Sequence, residues 1–226
     1  MAIQHGVPGE WARVRGTVFS LWPLFLAFTF LGAFITATIC GKYLPVFGAL
    51  LLVSLVSVAV CWRNGVRRVA SFFVGARGEE RVASLLSALP ETYHVFHDFV
   101  ADGVHVDHVV VGPAGVFSIE TKNWQGKVTI DDGLILVDSH VPDRSPLKQT
   151  IREADAVGRS LAKLGWNGTV TPVLCFASDT FIENSRQVGG AFVVNASELA
   201  FWLNARGTQL PPGELSRLVT LMVTRS

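Results

Sequence analysis

Asp107 and the tripeptide Glu120-Thr121-Lys122 flank a Gly112-Pro113-Ala114-Gly115 turn signal, each within a stretch of alternating apolar residues. Side chains alternate along a strand, so Glu120 and Lys122 share one face. If the connection keeps an even residue count, Asp107 stands opposite Glu120 and His105 opposite Lys122; a three-residue loop would put the two acids on opposite faces. Facing Cβ atoms lie about 4.5–5.5 Å apart. Carboxylates that close repel unless one is protonated or a cation lies between them. A hard divalent ion such as Mg²⁺ takes carboxylate oxygens at about 2.0–2.1 Å, so Asp107 and Glu120 are candidate metal ligands. Lys122 is then placed to orient or deprotonate a water, or to steady a developing phosphorane oxyanion. Glu79 shares a helix face with Val82, Ala83 and Leu86, and an inward carboxylate needs a partner such as a metal.

Other reactive side chains fit less well. His94/His97 and His105/His108 are spaced by three, and on regular strands such pairs face opposite sides, which excludes zinc chelation. His105 alone shares the Asp107 face. Trp124 reads as a cap on its turn rather than a base-stacking platform. Cys40, Cys61 and Cys175 form no CxxC pattern, and three unpaired thiols suit a reducing cytoplasm.

The elements that must position these residues follow from periodicity. A helix opens at Gly78 and ends at Pro90. Strands are predicted over Tyr93–Phe99, Val104–Val111, Val116–Lys122, Lys127–Ile130 and Leu134–Val137. Ser145-Pro146 is an N-cap followed by proline at N1, opening a helix to about Leu164. Strands at Val170–Ala177 and Ala191–Val194 and helices at Ser197–Ala205 and Pro212–Val223 complete one α/β domain.

The first third differs. Val18 to Ile39 is 22 residues without a formal charge, and Val46 to Trp62 is 17. About 20 helical residues span a bilayer, so two transmembrane helices are expected. Arg13 and Arg15 precede the first run, Arg63, Arg67 and Arg68 follow the second, and the connector carries only Lys42. That asymmetry places both termini and the soluble domain in the cytoplasm. Trp22, Tyr43 and Trp62 fall near the expected interfaces. Residues 63–226 hold 16 Lys/Arg against 17 acids, which argues against a charge-dominated nucleic-acid binder but not against an enzyme with a small basic groove.

Gly75-Ala76-Arg77-Gly78-Glu79, then Val106-Asp107-His108 running to Gly112-Pro113, then Gly115-Val116-Phe117-Ser118-Ile119-Glu120-Thr121-Lys122-Asn123-Trp124-Gln125-Gly126, closely resembles the nuclease-related domain (NERD). The likeness is strongest over 75–185 and continues into Ser145-Pro146-Leu147-Lys148-Gln149. That family resembles a branch of the PD-(D/E)XK restriction-endonuclease-like fold. The resemblance implies a mixed sheet flanked by helices, with Asp107, Glu120 and Glu79 binding Mg²⁺ or Mn²⁺, and Lys122 and Gln149 as catalytic residues. Val106 stands where the wider superfamily has proline before the acid. The expected organisation is a cytoplasmic segment 1–17, spans 18–39 and 46–62, a juxtamembrane linker 63–74 and a nuclease-fold domain 75–226. The expected function is metal-dependent hydrolysis of nucleic acid at the cytoplasmic membrane face. The alternative is a non-catalytic, membrane-tethered module that uses the same fold to bind nucleic acid or protein.

Overall fold

The structure is a computed structural model that describes the backbone of residues 1–41, 43–181, 183 and 185–224, with their side chains apart from Phe19, Pro23 and residues 61–69. Lys42 and the side chains of Cys61, Trp62, Arg63, Arg67 and Arg68, which entered the charge and interface reading, lie outside the described residues. In chain order the elements are β1 (Ile3–His5), α1 (Glu10–Cys40), α2 (Leu44–Leu86), β2 (His94–Ala101), β3 (Val104–Gly112), β4 (Gly115–Lys122), β5 (Val128–Asp131), β6 (Leu134–Val137), α3 (Pro146–Ala162), β7 (Val170–Phe176), β8 (Arg186–Val188), β9 (Ala191–Asn195), α4 (Ala196–Asn204) and α5 (Pro212–Val223). Predicted elements from residue 93 onward are present with ends shifted by a residue or two. β1 and β8 were not anticipated, and residues 63–74, expected as a linker, lie within α2.

The chain divides into two compact units, Met1–Glu10 with Gly75–Ser226, and Trp11–Val74. Within the second, α1 and α2 run as an antiparallel pair: a Cβ on Gly16 would lie 3.2 Å from that of Phe72, and one on Gly48 would lie 3.4 Å from the Phe34 ring. Small residues permit such close helix approach in apolar surroundings. Phe25, Phe28, Ile35, Leu52, Val53 and Val56 remain exposed. Among the described residues α1 is the one helix both long and apolar enough to cross a membrane, and the apolar stretch Leu44–Val60 is shorter. Of the two expected spans the first is matched, while the second, 46–62, runs at its end into side chains outside the described residues.

The first unit is a mixed α/β body. Its seven-stranded sheet has the order β1-β2-β3-β4-β7-β9-β8, and β5-β6 form a separate hairpin. β1 lies parallel to β2, β4, β7 and β9 are mutually parallel, and the remaining pairs are antiparallel. Alternation along β4 sends Phe117 and Ile119 to one face and Val116 to the other. On the first face they meet Val82 and Leu86 of α2 and Leu199 and Leu203 of α4. On the second, Val116 meets Ala156, Val157 and Leu161 of α3 and Leu218 and Met222 of α5. Helices on both faces of one sheet bury both sets of apolar side chains.

One strand departs from alternation. Asp98 has φ of 49°, a left-handed conformation that aspartate tolerates better than most residues. The β2–β3 ladder pairs His97 with His108 and resumes at Phe99 with Val106. Phe96 and Phe99, three apart, consequently join the same core cluster, as do Val106 and Val109. Strict alternation, the basis for placing each histidine pair on opposite sides, holds from His94 to His97, before the kink, but not from His105 to His108, which spans the position opposite it. His97 and His108 instead meet across the ladder, Nδ1 to Nδ1 at 2.8 Å.

Candidate functional site

The Gly112–Gly115 connection keeps the even register: Gly112 faces Gly115 and His108 faces Ile119, where the β3–β4 ladder ends. Just beyond it, Asp107 Oδ2 accepts the Thr121 backbone N–H at 2.8 Å. A carboxylate thus takes the place of a strand carbonyl as the two strands part. Lys122 Nζ donates to Glu120 Oε1, and at 3.1 Å to Gln149 Oε1. Gln149 Nε2 donates to Glu120 Oε1 at 2.8 Å and to Glu153 Oε1 at 2.9 Å. Both Gln149 and Glu153 ride on α3, one turn apart. That helix is started by Ser145, whose side chain accepts the Lys148 N–H, with Pro146 following.

Glu79 arrives on α2. The helix comes close because residue 78 is glycine: a Cβ there would lie 2.6 Å from Asn123 Cβ and 3.3 Å from Ala177 Cβ. Glu79 accepts the Gly9 backbone N–H. Next to it, Asp98 Oδ2 accepts the Glu10 N–H at 2.7 Å, and Asp98 Oδ1 receives His105 Nε2–H at 2.8 Å. The start of α1 therefore presents two backbone donors to carboxylates, as helix N-termini do for anions. His105 Nδ1 lies 4.0 Å from Asp107 Oδ1.

Crowding of acids sets the electrostatics. Burial, then the charge of Asp98 and, to a lesser degree, that of Glu120, raise Glu79 to about 7 against an opposite pull from His105. Burial, then Glu120 and Glu79, push Asp107 well above the ordinary carboxylate range. Burial, then Glu120, raise Glu153 to about 9. Burial by itself would lower Lys122, but Glu120, Asp107 and Glu153 outweigh it and the ammonium pKa rises.

Glu120, Lys122 and Gln149 thus form one hydrogen-bonded network, with Asp107 and Glu79 joined to it by charge. Glu153 was missed; its spacing of four from Gln149 was the available signal. Asp98 and the Gly9–Glu10 backbone were missed as well, because nothing local links them to residues seventy or more positions away.

The donor set suits a hard divalent ion. Glu120, Asp107 and Glu153 act on one ammonium, Glu79 acts on Asp107, and Glu79 Oε2 and Glu153 Oε2 are buried without a hydrogen-bond partner. Among the described residues no three acid, thiol or imidazole side chains already converge to hold a metal, and the Lys122 ammonium is the cation that Glu120 contacts.

No solved structure matches the chain at a significant level. An uncharacterised protein of Bacillus anthracis is 33% identical over 78 residues, covering 32% of this chain and 37% of that protein. The chain thus aligns with little more than a third of that relative's length. The segment that carries Glu79, Asp107, Glu120, Lys122, Gln149 and Glu153 is the one that answers to a known family: residues 74–177 match the nuclease-related domain.

Proposed function

We propose that this chain is a membrane-anchored nuclease hydrolysing phosphodiesters of nucleic acid with Mg²⁺ or Mn²⁺, on a restriction-endonuclease-like fold. The observation that carries the reading is the Lys122 ammonium held by Glu120 and Gln149 inside a cluster of four carboxyl groups. Asp107, Glu120 and Glu79 would hold the ion, which when bound supplies Lewis-acid polarisation of the phosphate and a more acidic water. Lys122 stays protonated at neutral pH, because neighbouring acids raise its pKa. It is thereby suited to act as a fixed positive charge against developing oxyanion character. Gln149 fixes that ammonium through Oε1 while its own amide is oriented by Glu120 and Glu153.

Full-length protein in detergent should cleave DNA or RNA with Mg²⁺ or Mn²⁺, and Asp107→Ala should lower the rate at least about a hundredfold. No cleavage above the Asp107→Ala level on single- or double-stranded DNA or RNA sinks the enzyme. The binding-module reading then stands; it is favoured by the absence, among the described residues, of a converged metal-ligand group.

The anchor is read as two crossings with both ends in the cytoplasm. Support comes from the fold of the first unit: β1 pairs with β2, so residues on either side of Trp11–Val74 belong to one folded body. A segment whose two ends are held together on one side must cross an even number of times. α1 is long and apolar enough for the outward crossing, which leaves Leu44–Val60, extended by flanking residues of α2, for the return. Arg13 and Arg15 assign that side to the cytoplasm. In intact cells a membrane-impermeant maleimide should label a variant whose only cysteine is Cys40, and should label one whose only cysteine is Ser216→Cys after lysis alone. Labelling of Ser216→Cys in intact cells refutes the orientation.

A further inference from the structure

Immediately after Lys122 the chain forms one side of an open surface cavity of about 380 Å³, lined by Asn123, Trp124 and Gln125 together with Val137, His140, Val141 and Pro142. That volume lies within the usual range for small-ligand pockets, roughly 300–1,000 Å³.

The cavity is built, not incidental. Ser178 Oγ–H donates to Asn123 Oδ1. Gly126 takes φ of 97° and lies so close to the Asp138 carboxylate that a side chain would collide with it. Asp138 Oδ1 accepts the Lys127 N–H at 2.8 Å, while the Asp138 N–H donates to Lys127 O at 2.9 Å. Val137 and His140 exchange both backbone hydrogen bonds at 2.9 Å. His140 Nδ1–H donates to Asp138 O at 2.7 Å, which leaves Nε2 as the acceptor nitrogen of the neutral ring. Trp124 is half-buried, tilted against Phe176 at a centroid separation of 5.7 Å, and Val141 is 61% exposed.

We infer that this cavity is a nucleobase subsite, taking one unstacked base of a single-stranded stretch beside the phosphodiester addressed by Lys122; the inference rests on the nuclease reading above. The base would lie on the Trp124 indole, with Val141 and Pro142 against its other side. The Gln125 amide offers donors and an acceptor, and His140 Nε2 an acceptor, to the base edge. Such a set serves any base, because every base has a π-face and a polar edge. Stacking also answers a question left by the composition. Residues 63–226 carry 16 Lys/Arg against 17 acids, so charge alone supplies little attraction for a polyanion, and an aromatic contact supplies affinity that charge does not. Trp124, expected from the sequence as a turn cap, lines the cavity while Phe176 backs it.

The test is equilibrium binding to full-length protein in detergent with EDTA, so that no cleavage occurs. The probes are fluorescent eight-nucleotide single-stranded DNA and RNA and a blunt DNA duplex. Single strands should bind at least about fivefold more tightly than duplex, and Trp124→Ala should weaken single-strand binding at least about fivefold. Val141→Asp, on the exposed rim, should weaken it similarly and decides the matter if Trp124→Ala does not fold. Phe201→Ala, an exposed aromatic of α4 outside the cavity, should leave binding unchanged. Equal affinity for single strands and duplex, or wild-type binding by Val141→Asp, overturns the subsite. Failure of the nuclease reading is distinguishable: selective binding without cleavage in Mg²⁺ removes the enzyme and keeps the subsite, whereas cleavage without that selectivity does the reverse.

Discussion

Lys122→Met leaves the fold assembled but lowers metal-dependent cleavage by about a hundredfold to a thousandfold, the range found when one preorganised donor to a developing oxyanion is removed. Methionine keeps much of the side chain's length while deleting the charge that reaches Glu120 and Gln149. The same change weakens the fold. The Glu120 side chain is 4% exposed, and stripping a buried carboxylate of its cation typically costs about 3–5 kcal/mol. Protonation of the cluster offsets part of that cost at low pH, so the loss is larger at pH 8 than at pH 6. Single-turnover kinetics and thermal unfolding at the two pH values measure both effects. A variant that cleaves at the wild-type rate removes Lys122 from the chemistry.

The metal-free protein loses stability as pH rises from 7 to 9. Glu79 sits at about 7 and Glu153 at about 9 in the fold, whereas an unfolded glutamate titrates near 4.3. A raised carboxyl pKa means that the native state holds protons the unfolded chain has released. The contribution is complete below the unfolded value and is lost as pH climbs through the folded one. Glu79 has lost most of its contribution by pH 7, so the loss across this window comes chiefly from Glu153 and is on the order of 2 kcal/mol. His97 and His108, lowered chiefly by burial, act in the opposite sense, but only below about pH 6.5, where the unfolded imidazoles take up protons. Asp102, lowered to about 2 by Arg159 and Lys163, has made its full contribution well before pH 7. Saturating Mg²⁺ replaces the lost protons, so it stabilises more at pH 9 than at pH 7, and Glu153→Gln flattens the metal-free curve. Denaturant unfolding over this range, with and without Mg²⁺, reads the slope directly; a flat metal-free profile contradicts the buried acid cluster.

Much of this arrangement was legible because it is local. The four-residue connection from Gly112 to Gly115 set the β3–β4 register, and period-two alternation put Glu120 and Lys122 on one face. Ser145-Pro146 marked the start of the helix that delivers Gln149. What escaped was set by distant contacts. Asp98 bends β2 through a single backbone angle, which no hydrophobic pattern encodes. β1 and β8 are three residues each, too short to display a period. The length of α2 was hidden by reading the basic stretch at 63–68 as a boundary, although arginine is a good helix former.

β1 has a consequence for how the molecule is made. Ile3 pairs with His94, and α1 and α2 lie between them in the sequence. On the ribosome, therefore, the outermost strand of the sheet is synthesised well before the strand it must join. Its edge N–H and C=O groups stay unpaired until β2 has emerged and β3 has folded back on it. The β1–β2 seam, beside Glu79 and Asp98, therefore closes only after α1 and α2 have been made, but it need not wait for β7, β8 and β9, which complete the opposite side of the sheet.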